Sequence, residues 1–78
     1  MIRPNDFVEH IPSDELWCVC GVDYKRGELI PCGWPFPTIA KISDCRLVES
    51  RDMPQEEGMK EALVKEGLSS FVESEVNA

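Results

Sequence analysis

Apolar residues alternate with polar ones through most of the first fifty positions, and the alternation is clearest in Leu16-Trp17-Cys18-Val19-Cys20-Gly21-Val22. Counted by twos, Leu16, Cys18, Cys20 and Val22 share one face of a strand, and Trp17 and Val19 the other. β-Branched and aromatic residues closed by Gly21 and Asp23 fit a strand buried on at least one side. Asp6–Ile11 alternates in the same way and reads as a strand before it, with Pro12-Ser13-Asp14-Glu15 as the polar break. After it, Asp23–Gly27 reads as a hairpin loop ending in a glycine suited to positive φ, and Glu28–Cys32 as the return strand. A five-residue loop sets Val22 opposite Glu28, Cys20 opposite Ile30 and Cys18 opposite Cys32. A slip of one residue would instead bring Leu29 and Pro31 to that face.

Gly33-Trp34-Pro35-Phe36-Pro37 cannot be regular structure, because two prolines and a glycine force a stiff loop. Thr38–Ile42 and Arg46–Glu49 complete five strands, separated by a tight turn at Ser43-Asp44-Cys45. The period then changes. Asp52 as N-cap with Gln55 three residues on forms a capping-box pattern, and Pro54 suits the first turn. Met59, Ala62 and Leu63 share a helical face, and Gly67 is a natural stop. The spacing therefore predicts a helix within residues 53–66. Leu68 to Ala78 is acidic around Phe71 and Val72 and is expected to be a flexible tail. The resulting division is a β-barrel over residues 1–51, a helix over 52–67 and an acidic tail over 68–78.

Two stretches of this β region resemble a known architecture. Pro4-Asn5-Asp6-Phe7-Val8 looks like the Pro-Gly-Asp-x-Val element that enters the first strand of many SH3-like barrels. Ile42-Ser43-Asp44-Cys45-Arg46-Leu47-Val48 is similar to their ending, a 3₁₀ turn feeding a last strand. The chain resembles small bacterial and phage proteins of this kind over residues 4–49. Asn5 replaces the usual glycine, although asparagine tolerates positive φ better than most residues. The resemblance implies a mainly β fold, a small five-stranded SH3-like barrel followed by a C-terminal helix. It implies little about activity, because such barrels host many functions.

At 78 residues the chain suits one small domain with a thin core, burying about 60% of its unfolded surface. Its net charge of −7 is uneven: residues 52–78 hold seven acidic and two basic groups, against eight and six in residues 1–51. No basic stripe is present for a phosphate backbone, so direct nucleic-acid binding is not expected. No apolar run is long enough for a membrane span, and no basic start leads into an apolar stretch. A cytoplasmic protein is expected.

The cysteines come as Cys18-x-Cys20, Cys32 and Cys45. Four cysteines can hold zinc, but the usual signature is two close pairs on tight knuckles. Here one pair is close, and strand positions two apart lie about 6.6 Å apart at Cα, awkward for sharing a metal or forming a disulfide. They read as small buried hydrophobes in a reducing compartment, with no cofactor expected. The lone His10 has no serine, cysteine or aspartate nearby in a recognisable catalytic pattern, and no glycine-rich phosphate loop is present. An enzyme is not expected.

The aromatic group points to binding. Trp17 lies off the expected core face and opposite Gly33, so Trp17 and Trp34 are expected to meet at one end of the barrel, with Phe36 in the same proline-stiffened loop as Trp34. Grooves of aromatics and proline hold extended peptides in several small domains. The expected function is a non-enzymatic module that contacts a protein partner through Trp17, Trp34 and Phe36. It would be a monomer, or a weak homodimer joined through Met59 and Leu63. Two alternatives stand beside it: a zinc-stapled domain using the four cysteines, and an acidic inhibitor that imitates nucleic acid.

Overall fold

The computed structural model describes residues 1–33, 36–51 and 53–73. The strands are β1 (Phe7–His10), β2 (Glu15–Asp23), β3 (Glu28–Pro31), β4 (Ala40–Lys41) and β5 (Cys45–Glu49). A 3₁₀ turn, Ile42–Asp44, leads into β5, and one helix, α1 (Glu57–Lys65), is followed by a 3₁₀ turn at Ser69–Phe71. The strands form one antiparallel sheet in the order β4-β3-β2-β1-β5. The fold is thus mainly β with a C-terminal helix. β4 and β5 are the two ends of the strand order, so these pairings leave the sheet open.

A bulge in β2 decides which side chains go where. Next to the hairpin, Asp23 pairs with Glu28, Val22 with Leu29 and Gly21 with Ile30, the slipped register, with a four-residue loop. Beyond Cys20 the register shifts, so that Val19 pairs with Pro31 and the Cys32 N–H donates to the Cys18 carbonyl at 2.7 Å. The five-residue-loop register therefore holds only beyond the bulge. An extra residue on one strand breaks the period of two. Val19 and Val22 both reach the inner cluster with Ile2, Val8 and Leu29, while Cys20 joins Ile30 on the outer side.

This corrects two expectations. Trp17 shares the inner face with its cross-strand partner Val8 and packs against the inner cluster. Leu16, expected in the core, is 71% exposed. Strict alternation keeps Val22 with Cys20, whereas the bulge moves Val22 to the face of Val19 and Trp17, which is therefore the inner one. Leu16 lies at the exposed start of β2.

The outer cluster is built from Cys20, Ile30, Leu63 and Phe71, with Phe36, Met59, Leu68 and Val72 packed around it. Gly21 makes this possible. A Cβ there would lie 2.7 Å from the Phe71 carbonyl oxygen and 2.9 Å from a Leu63 methyl. The helix ends in a Schellman motif: Gly67, at φ 77°, donates to the Val64 carbonyl, and Leu68 donates to that of Leu63. That turn swings the chain back so that Phe71, 1% exposed, plugs the outer face. The segment expected to be a flexible tail is therefore docked through Val72, because Phe71 and Val72 cover apolar surface that α1 alone leaves open. Residues 74–78 lie outside the described residues. Leu63 is fully buried in this contact, and Met59 packs against it.

Two polar side chains fasten the connections. The buried Asp6 carboxylate accepts the N–H groups of Arg3 at 2.9 Å and Arg51 at 2.8 Å, tying the exit of β5 to the opening turn. Gln55 has the place expected for a capping partner but does other work. Its amide donates to the Cys20 carbonyl at 2.6 Å and to that of Phe71 at 3.3 Å, and it accepts the Glu73 N–H. The helix starts at Glu57 with no side-chain cap, and Asp52, the expected N-cap, lies outside the described residues.

Candidate functional site

At the end of the sheet away from α1, β1 and β2 present a half-exposed aromatic group. Cross-strand neighbours on one face lie within side-chain reach. His10 accordingly stacks on Trp17, with ring centroids 4.0 Å apart and planes at 11°. Ser13 Oγ and His10 Nδ1 share a hydrogen bond of 2.7 Å, and the Trp17 indole N–H donates to Glu15 at 3.2 Å. These contacts hold the indole in one orientation. Beside it, Glu15, Leu16, Trp17, Cys18 and Cys32 line an open depression of about 430 Å³.

The three expected aromatic contacts are not all gathered here. Phe36 packs against the outer cluster, whereas Trp17 packs against the inner one. Trp34 lies outside the described residues, as does Pro35. Leu16, an exposed apolar residue adjoining Trp17, is the element the sequence reading missed. The available signal was Leu16's place at the far end of β2, beyond the reach of a short covering helix.

Three of the four cysteines do converge. Cys32 stands opposite Cys18 and diagonal to Cys20, and it packs against the cluster that holds Cys20. Donation from the Cys32 thiol lowers the Cys20 pKa, against the opposing effects of burial and the Glu56 carboxylate. The same contact with Cys20 pushes the Cys32 thiol far up, assisted by burial and by Cys18. Cys45 is elsewhere: it packs on the inner cluster, and its thiol donates to the Lys41 carbonyl at 3.5 Å. The four sulfurs therefore do not surround one point. Among the described residues no group of three or more His, Cys, Asp or Glu side chains is arranged to hold a metal ion.

A larger depression, about 760 Å³, lies between the β2–β3 loop and the C-terminal segment, with Asp23, Arg26, Ser70 and Glu73 on its walls. Burial raises the Asp23 pKa, but the N–H groups of Arg26 and Lys25, the Ser70 hydroxyl and the Arg26 guanidinium outweigh it and hold the carboxyl below its ordinary value. These groups are already paired among themselves, which leaves little to recognise a ligand. Comparison with family models, with curated proteins and with solved structures gives no match in any of the three. Among the described residues no helix is long and apolar enough to cross a membrane.

Proposed function

We propose that this protein is a small, non-enzymatic interaction module of the SH3-like type, working in the cytoplasm. The fold part of this reading is supported by the strand order β4-β3-β2-β1-β5 and by the 3₁₀ turn before β5. Asn5 supports it too, since its φ of 76° is the conformation for which the Pro-Gly-Asp-x-Val element uses glycine. Four free thiols suit a reducing compartment.

The observation that carries the function is the pairing of Leu16 with Trp17. An exposed aliphatic side chain adjoins an indole already held by His10 and Glu15, above an open depression. A preorganised aromatic loses little freedom on binding, and tryptophan is the residue type most enriched at binding hot spots. The partner is a protein segment that offers an apolar side chain to this depression.

The test uses the immobilised full-length chain to capture a partner, then measures its affinity for Leu16→Glu and Trp34→Ala, with thermal melting alongside. Leu16→Glu is expected to weaken binding at least about tenfold, the loss of about 1.4 kcal/mol, at an unchanged melting temperature. Unchanged affinity in both variants would move the contact surface elsewhere.

A further inference from the structure

Cys18 and Cys32 face one another across β2 and the end of β3. Beyond the bulge Val19 pairs with Pro31, so the next position on each chain sets Cys18 directly opposite Cys32. The Cys32 N–H donates to the Cys18 carbonyl at 2.7 Å, which confirms that register at the two residues themselves. Directly opposed residues carry their side chains on one face. Both residues are half-buried with free thiols, and both line the open depression of about 430 Å³ beside Trp17. We propose that Cys18 and Cys32 form a reactive dithiol, closed by a small, uncharged disulfide into an intramolecular Cys18–Cys32 bond.

Strand pairing supplies most of the geometry. Facing Cα atoms joined by a ladder hydrogen bond lie about 5.5 Å apart, well inside the range that disulfides span. Facing Cβ atoms stand about 4.5–5.5 Å apart, against about 3.5–4.5 Å in a disulfide, so closure needs a shift of about 1 Å. Cys32 supplies it, because it lies past the end of β3, where the ladder stops at Val19 and Pro31. Cys20 is 4% exposed and diagonal to Cys32, and diagonal neighbours stand about 7–8 Å apart, at or beyond the limit for a disulfide. Cys45 packs on the inner cluster and takes no part. Glu15 on the same wall and the net charge of −7 favour an uncharged oxidant over an anionic one.

The reaction is thiol–disulfide exchange, in which the thiolate is the attacking form. One of the two cysteines gives its proton to water and bonds to one sulfur of the small disulfide. The S–S bond of that molecule breaks, and its other half leaves as a thiolate that takes up a proton. The second cysteine loses its proton in the same way and attacks the sulfur of the first. The mixed S–S bond breaks, and the second half leaves and is protonated. Two protein thiols are oxidised by two electrons, and one small disulfide is reduced to two thiols.

The full chain is reduced, incubated with hydroxyethyl disulfide, quenched in acid, alkylated under denaturing conditions and mapped by mass spectrometry without reductant. A Cys18–Cys32 linkage within a monomer is expected, with Cys20 and Cys45 alkylated and full reversal by dithiothreitol. Cys18→Ser and Cys32→Ser should each stop at a mercaptoethanol adduct on the remaining member of the pair. Cys45→Ser and Cys20→Ala are expected to form the same linkage as the unaltered chain. In urea the same treatment should scatter linkages among the four cysteines, because the fold no longer sets the register. A linkage through Cys20 or Cys45, a disulfide between molecules, or adducts that persist in the unaltered chain would each overturn the proposal. So would four intact thiols at doses that oxidise the urea-unfolded chain. Should Cys20→Ala fail to fold, the linkage map of the unaltered chain decides alone.

Discussion

The two faces of β2 are closed by different means. On the inner face, Val8, Val19, Val22 and Leu29 come from adjacent strands and meet through sheet pairing, with Ile2 joining from the opening segment. On the outer face, Cys20 and Ile30 from the sheet are covered by Leu63 and Phe71, which follow more than thirty residues later. The first face needs only hairpins of low sequence separation. The second depends on one helix, one Schellman turn and one side chain, Gln55, joining the bulge to the C-terminal segment. The inner face is therefore a property of the sheet, while the outer is an agreement between distant segments that a single change can break.

The largest test of that difference is Phe71→Ala. Removing a fully buried phenylalanine costs about 3–5 kcal/mol, comparable to the whole stability of a domain this small. The expected outcome is a protein unfolded, or nearly so, at room temperature. Val8→Ala on the inner face removes less side chain, and a stable fold with a lowered melting temperature is expected. Urea titrations of both variants measure the contrast, and equal losses would mean that the C-terminal segment contributes little.

A smaller change acts through space rather than contact. Gly21→Ala places a methyl 2.7 Å from the Phe71 carbonyl oxygen, which is backbone and cannot step aside cheaply. Overpacking of this kind costs about 1–3 kcal/mol. Hydrogen exchange should rise in α1 and the Ser69–Phe71 turn more than in β1, because the helix is pushed off while the hairpins persist. Gln55→Leu leaves the Cys20 carbonyl at a buried position without this partner, for a loss of about 1–3 kcal/mol. Uniform loss of protection across the sheet in either variant would contradict the two-face account.

The inner face was the more legible of the two in the sequence. Strand positions follow from alternation and from the breaks at Pro12–Glu15, Asp23–Gly27 and Gly33–Pro37, all local signals. The bulge was not legible, because Val19-Cys20-Gly21 continues an apolar run without interruption, and alternation alone leaves Val22 on the face of Cys20 instead of joining it to Val19 and Trp17. One signal was present: a glycine inside a strand often marks a bulge or a close backbone approach, and Gly21 is next to both. The docking of Phe71 was hidden because the apolar spacing of Leu68, Phe71 and Val72, set between serines and glutamates, spans too few residues to read as a helix. Of the candidate site, the convergence of Cys18, Cys20 and Cys32 followed from register alone. The exposure of Leu16 did not, since it depends on where the helix ends.

The subtlest difference between the faces is electrostatic. Asp23 closes β2 and takes the N–H groups of Lys25 and Arg26 at 3.1 and 3.2 Å within its own hairpin, but it also meets the Ser70 hydroxyl from the C-terminal segment. Its folded pKa is lowered, so its stabilisation is fully present above the unfolded value of about 3.9 and is lost as pH falls through the folded value. The melting temperature of the unaltered protein is therefore expected to fall more steeply below about pH 5 than that of Asp23→Asn. Ser70→Ala removes only the contact from the outer face, and it should flatten that descent partway toward the Asp23→Asn profile. If Ser70→Ala follows the unaltered protein throughout, the carboxylate is held by its own hairpin alone, and the C-terminal segment is fastened by Phe71 and Gln55 without it.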